Sequence, residues 1–396
     1  MGSGEHQPET GSTSSVENLA RADAKAERQY SPRAAAPLML QPACRLLAVR
    51  QFRHTIGGGA TTRSVRAASK TSIPTMNRPR LLSALVCLLL LQGCVHPGRS
   101  HGQTVPAPGA SPQTLAVYEP WFGHPRHVSV GYSSQDPAVI RKQIDQAKAQ
   151  GISGFVVDWY GYREPFIDRS YALIQTIAAE KNFHIAMMYD ETEDEEAEAT
   201  DDAFAAFNKF NETYLSSNAP GRQAYLTYKE RPVIFIFPKA GHTNWNRVRA
   251  ATDKWTHPPL LIYEDQPTSF TAAFDGFYAW INPGRKGWAA DGSNWGEDYL
   301  GDFYRKMQSK YPDKIAVGAA WTGFDDSKAS WGLNRHISQR CGATYADTMK
   351  LWRQYYSADR QLPFLLVETW NDYEEGTAIE RGLSKCESGS QPRLGQ

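Results

Sequence analysis

From Leu115 onward, short apolar runs alternate with amphipathic stretches. Residues 115–119, 154–158, 183–190, 232–237, 260–263, 276–280, 314–319 and 364–369 read as strands. These runs are apolar on both faces, as strands of a parallel sheet covered by helices must be. The first intervening helix is well marked. Asp136 can cap it, Pro137 suits its first turn, Ile140 and Ile144 share a face, and Gly151 can end it. Helical patterns also follow the second, sixth and seventh strands, around 171–179, 295–310 and 345–356. Eight β/α units within about 280 residues predict an α/β chain folded as a (β/α)8 TIM barrel over residues 115–382. A doubly wound open sheet is the alternative. No G-x-G-x-x-G or P-loop follows any of the strands, so nothing asks for a nucleotide. After Glu380 only a polar tail (383–396) remains, so the last helix is expected to be shortened or absent.

Composition narrows the partners. Lysine plus arginine (43) nearly cancel aspartate plus glutamate (42), and a net charge of +1 gives no electrostatic case for nucleic acid. Residues 28–118 contain no acid, whereas 191–202 hold eight, which reads as a solvated helix start. Five cysteines are too few for a disulfide framework, and without a C-x-x-C pair no zinc site of ordinary spacing is expected. In an exported chain Cys341 and Cys386 could pair.

The N-terminal region is read apart from the barrel. Residues 1–75 show no sustained apolar period and are taken as an extension, non-native or disordered, with an organellar transit peptide as the competing reading. Met76, Arg78 and Arg80 then precede an apolar-or-small run over 81–91, about half of what a bilayer span needs. That is the pattern of a signal peptide over 76–93. Its end, Leu91-Gln92-Gly93-Cys94, resembles the lipobox of bacterial lipoproteins. The resemblance implies lipidation of Cys94, a linker over 94–114, and a location at the bacterial cell envelope, periplasmic or surface-facing. Contact with a membrane would then be through the lipid anchor only.

In such barrels chemistry sits at the C-terminal ends of the strands. Those ends bring acids and tryptophans together: Glu119 and Trp121, Asp158 and Trp159, Asp190 and Glu191, Glu264 and Asp265, Trp280 and Asn282, Trp321, then Trp370, Asp372 and Glu375. Eight of the eleven tryptophans fall at strand ends or in the loops beyond, including Trp288, Trp295 and Trp331. Flat aromatic faces suit the C–H faces of sugars, and carboxylates accept hydroxyl hydrogen bonds and do acid/base work. The expected partner is therefore a neutral polysaccharide or oligosaccharide. His127, close to His124, is expected to hydrogen-bond substrate, and no metal or cofactor is expected. Each of these positions also has a plainer reading: a strand-end Trp can be barrel packing, and Asp158 or Asp190 a helix cap.

The segment Trp370-Asn371-Asp372-Tyr373-Glu374-Glu375-Gly376-Thr377-Ala378-Ile379-Glu380 resembles the terminal motif of glycoside hydrolase family 99, the endo-α-mannosidases, with likeness to the family 71 α-1,3-glucanases. Tyr118-Glu119-Pro120-Trp121-Phe122-Gly123 is similar to the opening motif of family 99. The likeness continues through Gly131-Tyr132-Ser133-Ser134-Gln135-Asp136-Pro137, Gly151-Ile152-Ser153-Gly154-Phe155, Asp158-Trp159-Tyr160-Gly161 and Phe274-Asp275-Gly276-Phe277-Tyr278. It implies a (β/α)8 enzyme that hydrolyses α-linked glycans in endo fashion, with retention and without a cofactor. By that likeness Glu375 is the general acid/base, Asp372 assists the sugar's 2-hydroxyl, and Tyr118 and Tyr278 line sugar subsites. Two departures bear on which sugar is accepted. Asp372 stands where family 99 usually has Glu, and the loop after Trp121 lacks the His-Trp-Asn-His run of the mannosidases. An ordinary retaining mechanism with Asp372 as direct nucleophile stays open. So do a non-catalytic glycan-binding protein and a domain that assists surface polysaccharide synthesis.

Overall fold

The computed structural model describes residues 111–383, apart from 192–194, 240–241, 266–268, 282, 284–287, 290–292, 358–359 and 361. The 1–75 extension, the 76–93 signal segment, Cys94, Asn282, Cys386 and the polar tail beyond 383 lie outside the described residues. Cys341 is disulfide-bonded.

Eight parallel strands close into a cylinder: β1 (Gln113–Tyr118), β2 (Gly154–Trp159), β3 (His184–Asp190), β4 (Arg231–Phe237), β5 (Leu260–Glu264), β6 (Gly276–Tyr278), β7 (Ile315–Trp321) and β8 (Phe364–Glu368). Each pairs with its neighbour in sequence, and β8 returns to β1 with Leu366 opposite Leu115. Every strand falls within a few residues of its predicted span. The predicted barrel is what forms, because runs apolar on both faces can be buried only between an inner core and an outer ring of helices.

Period-two alternation divides each strand between those two layers. Val117, Val156, Met188, Phe235, Ile262, Val317 and Leu366 share the inward face through successive registers, and all are buried. A short antiparallel hairpin before β4 plugs the lower end, with Tyr228 edge-on to Phe364 at 5.5 Å.

The outer ring holds α1 (Pro137–Ala149), α2 (Pro165–Glu180), α3 (Glu196–Phe210), α4 (Trp245–Thr252), α5 (Glu297–Ser309) and α6 (Ala343–Leu351). Asp136 caps α1 as expected, accepting from the Ala138 N–H, and Ile140 and Ile144 are buried. The acidic run does lead into a helix, α3, whose first turn carries Glu196 and Glu198. β5 is followed by only a three-residue 3-10 turn, Thr271–Ala273. Among the described residues no helix follows β8, and the tail on which the expected shortening of the last helix bears lies outside them.

Strands approach closely at β6, the shortest of the eight. A Cβ on Gly276 would fall 2.5 Å from the carbonyl oxygen and 2.7 Å from the Cβ of Ile315 on β7. Both belong to the neighbouring ladder and cannot swing aside. Gly276→Ala is expected to cost about 1–3 kcal/mol through overpacking, read as a lower urea midpoint with an unchanged far-UV circular dichroism spectrum.

Candidate active site

The same alternation that fills the barrel decides what crowns it. One step above the apolar layer, the inward face carries Glu119, Asp158, Asp190, Glu264, Tyr278, Trp321 and Glu368. All are at least nine-tenths buried. Removing carboxylates from water favours their neutral form, and neighbouring acids reinforce the effect. Burial, then Asp158, Asp372, Glu375 and Asp190, hold the Glu119 carboxyl well above its ordinary range. Asp158 is raised by burial and by Asp190, while Lys239 and a hydrogen bond with Tyr160 pull it back. Lys239 pairs with Asp190 at 3.1 Å and lies over the Tyr160 and Phe237 rings. Glu368 is raised by burial, although its Oε2 accepts from the Ile281 N–H at 2.6 Å. Glu119 Oε2, Asp158 Oδ1 and Glu368 Oε1 are buried oxygens with no hydrogen-bond partner. Such a set is costly unless something polar completes it.

The turn after β8 brings two more acids. Asn371 is clasped to Glu119, its Oδ1 accepting from the Glu119 N–H (2.7 Å) and its Nδ2 donating to the Glu119 carbonyl (2.9 Å). Asp372 follows at once, and its Oδ1 accepts from the backbone N–H groups of Glu374 (2.8 Å) and Glu375 (2.9 Å). An aspartate that caps its own turn in this way fixes the direction of the next side chains. Burial, and next the charge of Glu375, push Asp372 up to about 8, against the two backbone hydrogen bonds that favour its charged form. Glu375 is less deeply covered and is also raised, chiefly by burial. Trp331, Arg335 and Lys239 lower it in part. The two predicted catalytic acids therefore share one turn at the mouth of the acidic cup.

An aromatic wall stands beside them. Trp121 stacks on His127 at 4.7 Å and 9°, and on Tyr160 at 6.2 Å on its other side. His127, expected to hydrogen-bond substrate, shares a 2.8 Å hydrogen bond between its Nδ1 and Glu374 Oε2, whose other oxygen accepts from the Val128 N–H. Trp280 meets Phe237 edge-on at 5.3 Å, across from Tyr278. Tyr278 spends its hydroxyl on the Ile236 carbonyl. Trp321 reaches the inner rim, but its Nε1 donates to the Trp295 carbonyl and Trp288 packs on it.

Three expected substrate contacts face the helices instead. Tyr118 points outward, donating to Gln143 on α1. Trp159, next to the inward Asp158, packs on Phe210 and Tyr214 and donates to Asp168. Trp370 is fully buried against Phe155, on the outer face of β2. Tyr118 and Trp159 are corrected by strand parity, which was readable in the sequence; Trp370 has the parity of the inward Glu368 and turns outward only beyond the end of β8. Parity would also have singled out Glu368, an acid inside an apolar strand, and Glu119. The parts played by Tyr160, Lys239 and Trp331 depend on loops and carried no such signal. Among the described residues, no group of three or more His, Cys, Asp or Glu is placed to hold a metal ion.

A buried carboxyl with a raised pKa keeps its proton in the folded chain after the unfolded chain has released it. For Asp372 that window runs from about pH 4, the ordinary aspartate value, to about 8, and stability falls as pH rises through it. The melting temperature is expected to decline between pH 5 and pH 8. In Asp372→Asn, which keeps an oxygen for the two backbone amides, the decline should be shallower, as followed by calorimetry.

No family model matches this chain, and no curated protein matches it. Solved structures do. A family 99 endo-α-mannosidase of Bacteroides thetaiotaomicron, in complex with bis-tris propane, superposes with a TM-score of 0.52 at 19% identity, covering 70% of this chain and 89% of that one. A second structure of that family from the same organism gives 0.52 and 19%, covering 68% and 87%. A glycoside hydrolase-like protein gives 0.50 and 13%, covering 70% and 90%. The likeness establishes the architecture: this chain is a (β/α)8 barrel similar to those of the family 99 endo-α-mannosidases.

Proposed function

We propose that the protein hydrolyses α-glycosidic bonds in a polysaccharide or oligosaccharide, acting within the chain and with retention. The observation that carries this reading is the turn after β8. It sets Asp372 and Glu375 three residues apart at the mouth of a barrel lined with buried carboxyls, and holds both above their ordinary range. The resemblance of this motif to that of family 99, and the barrel shared with the endo-α-mannosidases, agree with it.

In the proposed reaction Glu375 gives its proton to the departing glycosidic oxygen, and burial, which raises its pKa, favours the protonated form that this step needs. Asp372, in the charged form that its two backbone N–H groups favour, takes the proton of the 2-hydroxyl, whose oxygen closes on the anomeric carbon to form a 1,2-anhydro sugar. Glu375, now a carboxylate, then takes a proton from the water that reopens this ring, and Asp372 returns its proton to the 2-oxygen. Two inversions give net retention. One oxygen of Asp372 already accepts two backbone N–H groups. The other is left for a single proton transfer, which suits this role. The unpartnered oxygens of Glu119, Asp158 and Glu368 offer acceptors for sugar hydroxyls. We also propose that the chain is exported and lipid-anchored through Cys94, on the strength of its lipobox-like segment.

The barrel domain should release reducing ends from α-mannan, α-1,3-glucan or another α-linked polysaccharide, and Glu375→Gln should lower that release by at least a thousandfold while keeping the melting temperature within a few degrees. Silence of the unaltered protein across such a panel would sink the hydrolase reading, and a covalent adduct on Asp372 would replace the anhydro sugar with a direct nucleophile. Incorporation of a fatty-acid label into the full chain, lost in Cys94→Ala, checks the anchor.

A further inference from the structure

Among the described residues three large apolar side chains are exposed, Tyr162, Trp331 and Leu333. Two of them belong to the connection between β7 and α6, and that connection is tightly organised. Phe324–Asp325 pairs antiparallel with His336–Ile337. Between these two-residue strands the buried Asp326 carboxylate accepts from the Leu333 N–H (3.0 Å), the Arg335 N–H (2.7 Å) and Arg335 Nε (2.8 Å). Gly332 crosses so close to this knot that a Cβ there would lie 1.8 Å from the Asp326 carbonyl oxygen. The strap is also tied to the catalytic turn, since the Asp325 N–H donates to the Glu375 carbonyl at 2.8 Å. At its outer end Trp331, 46% exposed, donates from Nε1 to Glu375 Oε1 at 3.3 Å, and its ring meets His127 edge-on at 6.3 Å.

Scattered exposed apolar residues need no explanation, but an indole held by a knotted strap against a proposed catalytic acid is not scattered. We infer that Trp331 is the platform on which the leaving-group sugar stacks, presenting its face to the departing ring and its N–H to the acid that protonates it. The inference rests on the hydrolase reading. Glu375 gives its proton to the leaving oxygen, so a ring lying against the exposed side of Glu375 is the one that departs. A flat aromatic face accepts the C–H face of a pyranose, and covering it removes water from the Trp331–Glu375 hydrogen bond. Occupation of this subsite and placement of the acid are thereby coupled in one side chain. Trp331 acts as a positioning residue toward Glu375 and as a specificity determinant toward the sugar.

The test compares the polysaccharide that the protein cleaves, α-mannan or α-1,3-glucan, with the α-glycosyl fluoride of the same sugar. Fluoride leaves without a proton and brings no leaving-group ring. Trp331→Ala is expected to lower kcat/KM on the polysaccharide at least tenfold and to lower fluoride turnover by a clearly smaller factor, because Glu375 still serves as the base of the second step on either substrate. Trp331→Phe should restore KM while moving the alkaline limb of the polysaccharide pH profile upward, because Glu375 has lost a donor that favours its charged form. Equal losses on both substrates, or unchanged polysaccharide kinetics in Trp331→Ala, would overturn the inference. If the unaltered protein cleaves neither substrate, the hydrolase reading fails by itself, and the platform is judged by electrophoresis through gels containing the same polysaccharides. Retardation lost in Trp331→Ala would support it. Equal retardation of both proteins, or none of the unaltered one, would overturn it.

Discussion

Asn371 exchanges two hydrogen bonds with the backbone of Glu119 in a place where neither partner can reach water. The pair continues the ladder between β8 and β1 beyond the last paired strand residues, with a side-chain amide standing in for a peptide. The Trp370 N–H, bonded to the Val117 carbonyl at 2.6 Å, adds a third stitch to the same seam. This is where the cylinder closes, and the turn proposed to carry the catalytic acids begins at the next residue. Losing either partner would strand buried donors and acceptors, a cost of roughly 1–3 kcal/mol for each group. The far end of the turn is fixed as firmly. Glu380 accepts from Tyr132, Tyr373 and Gln143, all at 2.8 Å, and Gln143 in turn accepts from Tyr118. Tyr118 thus serves the site from outside the barrel, by holding α1 against the end of the motif.

The cup is an electrostatic compromise. Gathering Glu119, Asp158, Glu368 and Asp372 behind a closed wall works against folding, since each must be dehydrated and each resists its neighbours' charge. Lys239 relieves part of this through Asp190 and through its field at Asp158 and Glu375. Backbone N–H groups relieve more at Asp372 and Glu368. The oxygens left over are acceptors that the protein itself does not satisfy, and the polyhydroxylated ligand proposed above would complete them.

The fold was legible because its signal is long and redundant. Eight apolar runs at regular spacing leave few architectures, and shifting any boundary by two residues changes nothing. The turn that carries the proposed catalytic acids stood out in the sequence because Asp372, Glu374 and Glu375 crowd one strand end. Less was legible in between. Adjacent residues at a strand end face opposite layers, so Asp158 and Trp159 could not both line the cup, and Tyr118 had to face away once Glu119 faced in. Glu368 was hidden by its apolar neighbours in β8. Trp331 is a different case. Its partner Glu375 lies 44 residues away, and only the folded strap brings the two together.

Asp372 serves two masters with two oxygens. One is fastened to the amides of its own turn, and a carboxylate reaches back that far only from a short side chain. A glutamate there, the residue usual in family 99, carries one more methylene and would have to find its footing differently. Under the proposed reaction, drift at this position is doubly constrained: a replacement that preserves reactivity but not the turn loses the geometry, and one that preserves the turn but not the acid loses the chemistry.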